Sequence, residues 1–167
     1  MRETAADLAE LQDLLDRSYA SAGEHLLSIH TPNWRVPASE LVEILTGMCV
    51  LNLATVNSKG EPFVGAVHGL FFRGCFYCGS SYDSLRAKHI ARNPAVSAAH
   101  TRGEELSVVV HGTAVQLDTG TELGRGYREF AIALYGEKMV DDFLATSPYW
   151  RIEPKRMFAL RPAVGEP

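Results

Sequence analysis

Cysteine is scarce in this sequence, with three residues in all, and no long apolar run occurs. An odd count without a paired framework excludes a disulfide scaffold, so reduced thiols and a cytoplasmic setting are expected. No stretch approaches the ~20 apolar residues that a membrane-crossing helix needs. The opening MRETAADLAELQDLLDRS is acidic and lacks the apolar centre of a secretory signal, so secretion is not expected. An excess of charge of one sign is also missing. Sixteen Lys and Arg against 20 Asp and Glu leave a net charge of −4, which gives no general drive toward nucleic acid or an anionic membrane. There is no H-E-x-x-H, no G-x-S-x-G and no G-x-x-x-x-G-K-[ST], so hydrolase and P-loop chemistry have no support.

What is present fits one soluble domain. Hydrophobic residues make up 46% and charged residues 22% of 167 positions, enough chain to bury a real core. Thr4-x-x-Asp7 resembles a capping box, and Leu8, Leu11, Leu15 and Tyr19 follow at helical spacing. A connector with two prolines (29–37) leads to a short helix expected to be capped by Ser39 and to end at Gly47. Strands are then expected over 48–56 and 62–72, joined by the turn signal NSKG, and Arg73-Gly74 turns the chain into CFYCGS. A short helix over 84–93 should stop at Asn93-Pro94. AVSAAH and LSVVVHGTAVQL read as two more strands. Thr119-x-x-Glu122 resembles a second capping box opening a helical region over 119–147 that breaks at Gly136. A last strand covers 151–161, with Pro154 at an edge or at its start. Short strands, tight turns and flanking helices point to a mainly β, α+β domain built as an antiparallel barrel. Only the connection through 80–94 is long enough for a parallel crossover.

The stretch CGSSYDSLRAKHIARNP (78–94) carries the best candidate site. A helix N-terminus presents free N–H groups and partial positive charge, which together suit a phosphate. Ser80, Ser81 and Ser84 can donate hydroxyl hydrogen bonds, and Arg86 can make a charge-assisted one. A cation in a first turn opposes the helix dipole, so Arg86 is better explained by an anion to hold. The same residues also suit a plain cap on a solvated helix. Gly65 and Gly69, with Ala66 between them, fit either a flat ligand lying close to the strand or a bulge. Cys75-x-x-Cys78 lies on a strand, where positions three apart face opposite ways, so neither a disulfide nor a shared metal follows. Histidines at 25, 30, 68, 89, 100 and 111 form no ligand pattern.

The strand order resembles that of the pyridoxamine 5′-phosphate oxidase-like superfamily, FMN-binding Greek-key split β-barrels. LATVNSKGEPFV, SSYDSLRAKHIARNPAVS, VVVHGTA and YWRIEPKRMFAL carry the likeness. The resemblance implies that Ser84 and Arg86 hold the cofactor phosphate, with Ser80, Ser81 and Lys88 near it. It implies that the flavin ring lies along Ala66, Val67 and His68, and that Trp150 and Arg151 approach it, often across a homodimer interface. Gly65 and Leu70 stand where authentic pyridoxamine phosphate oxidases carry an Arg and a Lys, and the C-terminal Arg-x-His element is missing. The resemblance therefore implies two-electron redox chemistry on a small molecule other than pyridoxamine phosphate. Its alternatives are the deazaflavin F420 as cofactor in an F420H2-dependent reductase, or a non-catalytic carrier or sensor of flavin or haem.

Overall fold

The computed structural model describes residues 3–162. Residues 1–2 and 163–167 lie outside them. Helix α1 (Ala5–Ala20) opens with the expected capping box: the Thr4 hydroxyl accepts from the Asp7 amide and the Asp7 carboxylate accepts from the Thr4 amide. Its apolar stripe of Leu11, Leu14 and Leu15 packs inward. A short α2 (Glu24–Ile29) precedes the connector expected over 29–37, and a single 3-10 turn (Pro32–Trp34) lies within it.

The N-cap of helix α3 (Ala38–Ile44) falls two residues earlier than expected, at Pro37 and not Ser39. The reason is tertiary: the Ala38 amide donates to the Gln12 side-chain carbonyl of α1 at 2.9 Å, which replaces a local cap.

Six strands follow: β1 (Met48–Val56), β2 (Pro62–Phe72), β3 (Cys75–Gly79), β4 (Ala95–Arg102), β5 (Leu106–Gln116) and β6 (Tyr149–Leu160). They close a barrel in the order β1-β2-β3-β6-β5-β4, and every pairing is antiparallel. Two three-stranded meanders thus meet at a β3–β6 seam and at a short β1–β4 seam of three residue pairs, Asn52 to Ala54 against Ala99 to Ser97. The connection through helix α4 (Leu85–Arg92) makes no parallel crossover, because β3 and β4 belong to different seams. Arg73 and Gly74 both have positive φ, the geometry that matches a tight turn to the twist of β2 and β3.

Two apolar clusters result. The barrel interior holds Leu51, Leu53, Phe71, Phe76, Val108, Val110, Ile152 and Met157, sealed on one side by α1 and α3 and at an end by Ala87 and Ile90 of α4. Within it the Phe71 and Phe76 rings meet edge to face at 5.0 Å. The second cluster lies outside the barrel, where helices α5 (Glu122–Tyr135) and α6 (Glu137–Thr146) cover Leu70, Phe72 and Tyr77. These helices break at Gly136 as expected, with φ +82, and Arg128 of α5 ties them together through Asp141 at 2.7 Å. Thr121, and not Thr119, caps α5, accepting from the Gly124 amide at 3.0 Å. Asp118 has already folded the preceding residues into a turn, its carboxylate accepting from the Gly120 amide.

Pro154 sits inside β6, not at its start. There β3 has stopped pairing after Ile152 and the β5 ladder slips between His111 and Gly112, so the missing N–H falls at a bulge. At that bulge a Cβ on Gly112 would collide with the Glu153 carbonyl oxygen. Gly112→Ala is therefore expected to lower stability by about 1–3 kcal/mol, read as a shift in the denaturation midpoint. An unchanged midpoint would show that the bulge relaxes freely.

Candidate functional site

The site is set where β2 changes its environment. From Pro62 to His68 the outward side chains Val64, Ala66 and His68 are exposed, whereas from Gly69 to Phe72 both faces are buried. At this change the end of β3, the start of α4 and the α5–α6 hairpin come together.

Ser84 is the N-cap of α4, accepting from the Ala87 amide at 3.1 Å, so the cap expected from sequence is present. Ser80 donates to the Ser84 hydroxyl at 3.0 Å, and Arg86 donates to Ser80 at 3.3 Å. The second guanidinium nitrogen reaches the carbonyls of Gly65 and Ala66, each at 3.4 Å. A Cβ on Gly65 would come within 3.0 Å of that nitrogen, so the glycine gives Arg86 its resting place against β2. All of these contacts are long for charge-assisted bonds, which usually run near ~2.7–2.9 Å. Among the described residues no carboxylate pairs with Arg86. The cluster therefore has a positive charge with unused donors, three hydroxyls and a helix N-terminus, which is the donor set a phosphate group needs.

The other sequence candidates divide. Val67 and His68 line a cavity of about 620 Å³ that also reaches Ser80 and Ser81. Ala66 is exposed on the adjoining strand face, and Lys88 is exposed on α4, where its backbone amide donates to the Ser84 carbonyl at 3.2 Å. Trp150 does not reach this groove: paired with Cys78, it is 5% exposed and packs in the barrel core. Arg151 lies on the opposite face of β6, half-buried, in register with Tyr77 and ion-paired with Glu153.

Sequence reasoning missed the far wall of the cavity, formed by Tyr127, Tyr135, Met139 and Phe143 of the hairpin with Tyr149 of β6. The signal that could have found it is Met139 and Phe143, one turn apart on α6 and each 50% exposed, where a surface helix would ordinarily carry polar groups. Tyr77 and Tyr127 stack at 4.3 Å with ring planes 15° apart.

Burial dominates the titration of the site. It holds the Tyr77, Tyr127, Tyr135 and Tyr149 hydroxyls above their ordinary range, and Arg151 works only partly against the rise at Tyr77. Burial pushes the Cys78 thiol up to about 12, with Arg86 opposing, and Cys75 up to about 11. Cys75 and Cys78 are free thiols. Among the described residues no cluster of three His, Cys, Asp or Glu could hold a metal, and no helix is long and apolar enough to cross a membrane.

Six antiparallel strands in this order, with helices plugging an end and covering a flank, define the split β-barrel class. No protein-family model and no curated protein matches the sequence. Among solved structures, the chain is similar to the conserved hypothetical protein Rv2991 of Mycobacterium tuberculosis (18% identity, 83% of this chain and 96% of that one, TM-score 0.66). It is similar to the heme storage protein HutZ of Vibrio cholerae (20%, 74% and 93%, TM-score 0.61). A FAD-binding protein of Mesorhizobium loti matches at 22% identity over 77% of this chain and 96% of that one, with a TM-score of 0.58. The chain thus has the fold of pyridoxamine 5′-phosphate oxidase-like proteins.

The raised thiol and tyrosine values predict alkaline sensitivity. These groups keep their protons longer when folded than when unfolded, so their stabilisation is complete below about pH 9 and is lost as pH rises through 11 to 12. The thermal midpoint should be flat from neutral pH to about pH 9 and fall above it. Cys78 should resist a thiol reagent at pH 8 until the chain is unfolded; its rapid labelling in the folded state would contradict its burial.

Proposed function

We propose that the chain is a flavin-dependent oxidoreductase that binds FMN at the start of α4 and acts as a homodimer on a small molecule. The observation that carries this reading is Arg86, held over Gly65 beside Ser80 and Ser84 with its charge unpaired. A FAD-binding protein of the same fold supports a flavin-type cofactor. In this reading Ser84, Ser80, Ser81 and Arg86 hold the phosphate, and the ring lies on β2 along Ala66, Val67 and His68. When bound, the flavin supplies hydride transfer, while the protein orients it and tunes its potential. Pyridoxamine phosphate is not the substrate in this reading. Leu70 is buried beneath the hairpin, and Gly65 offers no side chain, so β2 brings no second cation to the site.

The absorption spectrum of the purified protein, or of the protein supplied with cofactor, tests the reading. Flavin bands support it, a deazaflavin band makes F420 the cofactor, and a Soret band makes the protein a haem carrier. No binding of any of the three removes the redox reading. With FMN bound, Arg86→Ala should weaken affinity by about 1.5–3 kcal/mol, the worth of a hydrogen bond to a charged group. Unchanged affinity would return Arg86 to a structural role.

The dimer rests on the uncovered outer sheet. Val64 is 73% and Val50 45% exposed, on the outward faces of the neighbouring strands β2 and β1. Light scattering should give twice the mass of one chain, and Val64→Asp should halve it. A monomeric parent protein would contradict the assembly.

A further inference from the structure

The cavity beneath the α5–α6 hairpin says more about the molecule acted on than the fold does. None of its lining residues is Asp, Glu, Lys or Arg. Its polar groups are serine and tyrosine hydroxyls and the His68 imidazole, and burial keeps the tyrosines neutral. A carboxylate or phosphate held in it away from Arg86 would lose water without meeting a cation, at a cost of several kcal/mol. An uncharged ring would instead meet aromatic walls, with Tyr127 fixed in place by its stack on Tyr77.

The volume of about 620 Å³ lies within the range of small-molecule sites. Half-exposed Met139 and Phe143 form an apolar rim, with Met48 of β1 also lining the cavity. At one end Ser80 belongs to both the cavity and the Arg86 cluster, so the two spaces join. Val140 and Leu144 of α6 also line the cavity, whereas of the segment Ala66 to His68 only Val67 and His68 line it.

We infer that this cavity is the substrate pocket and that it selects an uncharged aromatic molecule over its anionic counterpart. The word substrate rests on the redox reading above; the selectivity rests on the cavity alone. The anion-binding pole at Arg86 and the charge-free pocket divide the site into a place for a phosphate and a place for a neutral ring.

Calorimetric titration of the full chain with 2-naphthol and with 2-naphthoate, each with and without saturating FMN, tests this. The naphthol should bind at least about tenfold more tightly than the naphthoate, because only the anion must be desolvated unpaired. It should do so with FMN present, and on the Arg86→Ala chain without FMN, where the cation next to Ser80 is gone. Phe143→Asp places a charge at an exposed rim position and should weaken naphthol binding about tenfold with the circular dichroism spectrum unchanged. Equal or tighter binding of naphthoate would overturn the selectivity. Displacement of FMN by naphthol would overturn the substrate assignment, making the cavity the seat of the ring. If FMN fails to bind at all, the flavin reading is lost, while the naphthol preference on the cofactor-free Arg86→Ala chain still decides the selectivity.

Discussion

The double burial of β2 beyond Gly69 is the constraint on which the rest of the molecule depends. Phe71 must face the barrel interior, while Leu70 and Phe72 must be covered from outside, and the α5–α6 hairpin does so. The hairpin is therefore part of the fold's second core. Where its cover ends, the same strand becomes one-sided. Its outward residues Val64, Ala66 and His68 are left exposed next to the start of α4. The groove and the cavity follow from one strand passing out from under its cover.

The electrostatics of this region have a simple form. One cation, Arg86, lies against a glycine of β2 with long contacts to neutral partners. Around it, burial keeps thiols and phenols protonated, so they neither neutralise that charge nor compete for an anion. A positive pole next to a neutral aromatic chamber would suit a ligand pair in which one partner carries the negative charge and the other carries none. Gly65 contributes at both levels, as a gap in the side chains of β2 and as the surface on which the guanidinium rests.

Much of this frame is legible in the sequence because it is local. The Thr4–Asp7 capping box, the turns at 57–60 and 73–74, the arrest of α4 before Pro94 and the break at Gly136 all depend on neighbouring residues. The differences arise where distant parts of the chain intervene. Gln12 caps α3 from another helix, making Ser39 an interior residue, and Asp118 uses the local hydrogen bonds that move the α5 cap to Thr121. Pro154 is tolerated inside β6 because β5 slips opposite it. The strand period places Trp150 and Arg151 on opposite faces, and only the barrel shows which of them faces the core. Ser80, Ser84 and Arg86 do come together as the resemblance implies. The cavity wall from α5 and α6 was not legible, since nothing local tells a helix covering a core from one that also roofs a chamber.

The most direct test of the account is a crystal structure of the protein loaded with FMN. The account predicts the phosphate against the Arg86 guanidinium and the Ser84 hydroxyl, with the cavity under α5 and α6 still open beside the ring. A phosphate bound away from Arg86, or a ring filling the cavity as far as Leu144, would contradict it.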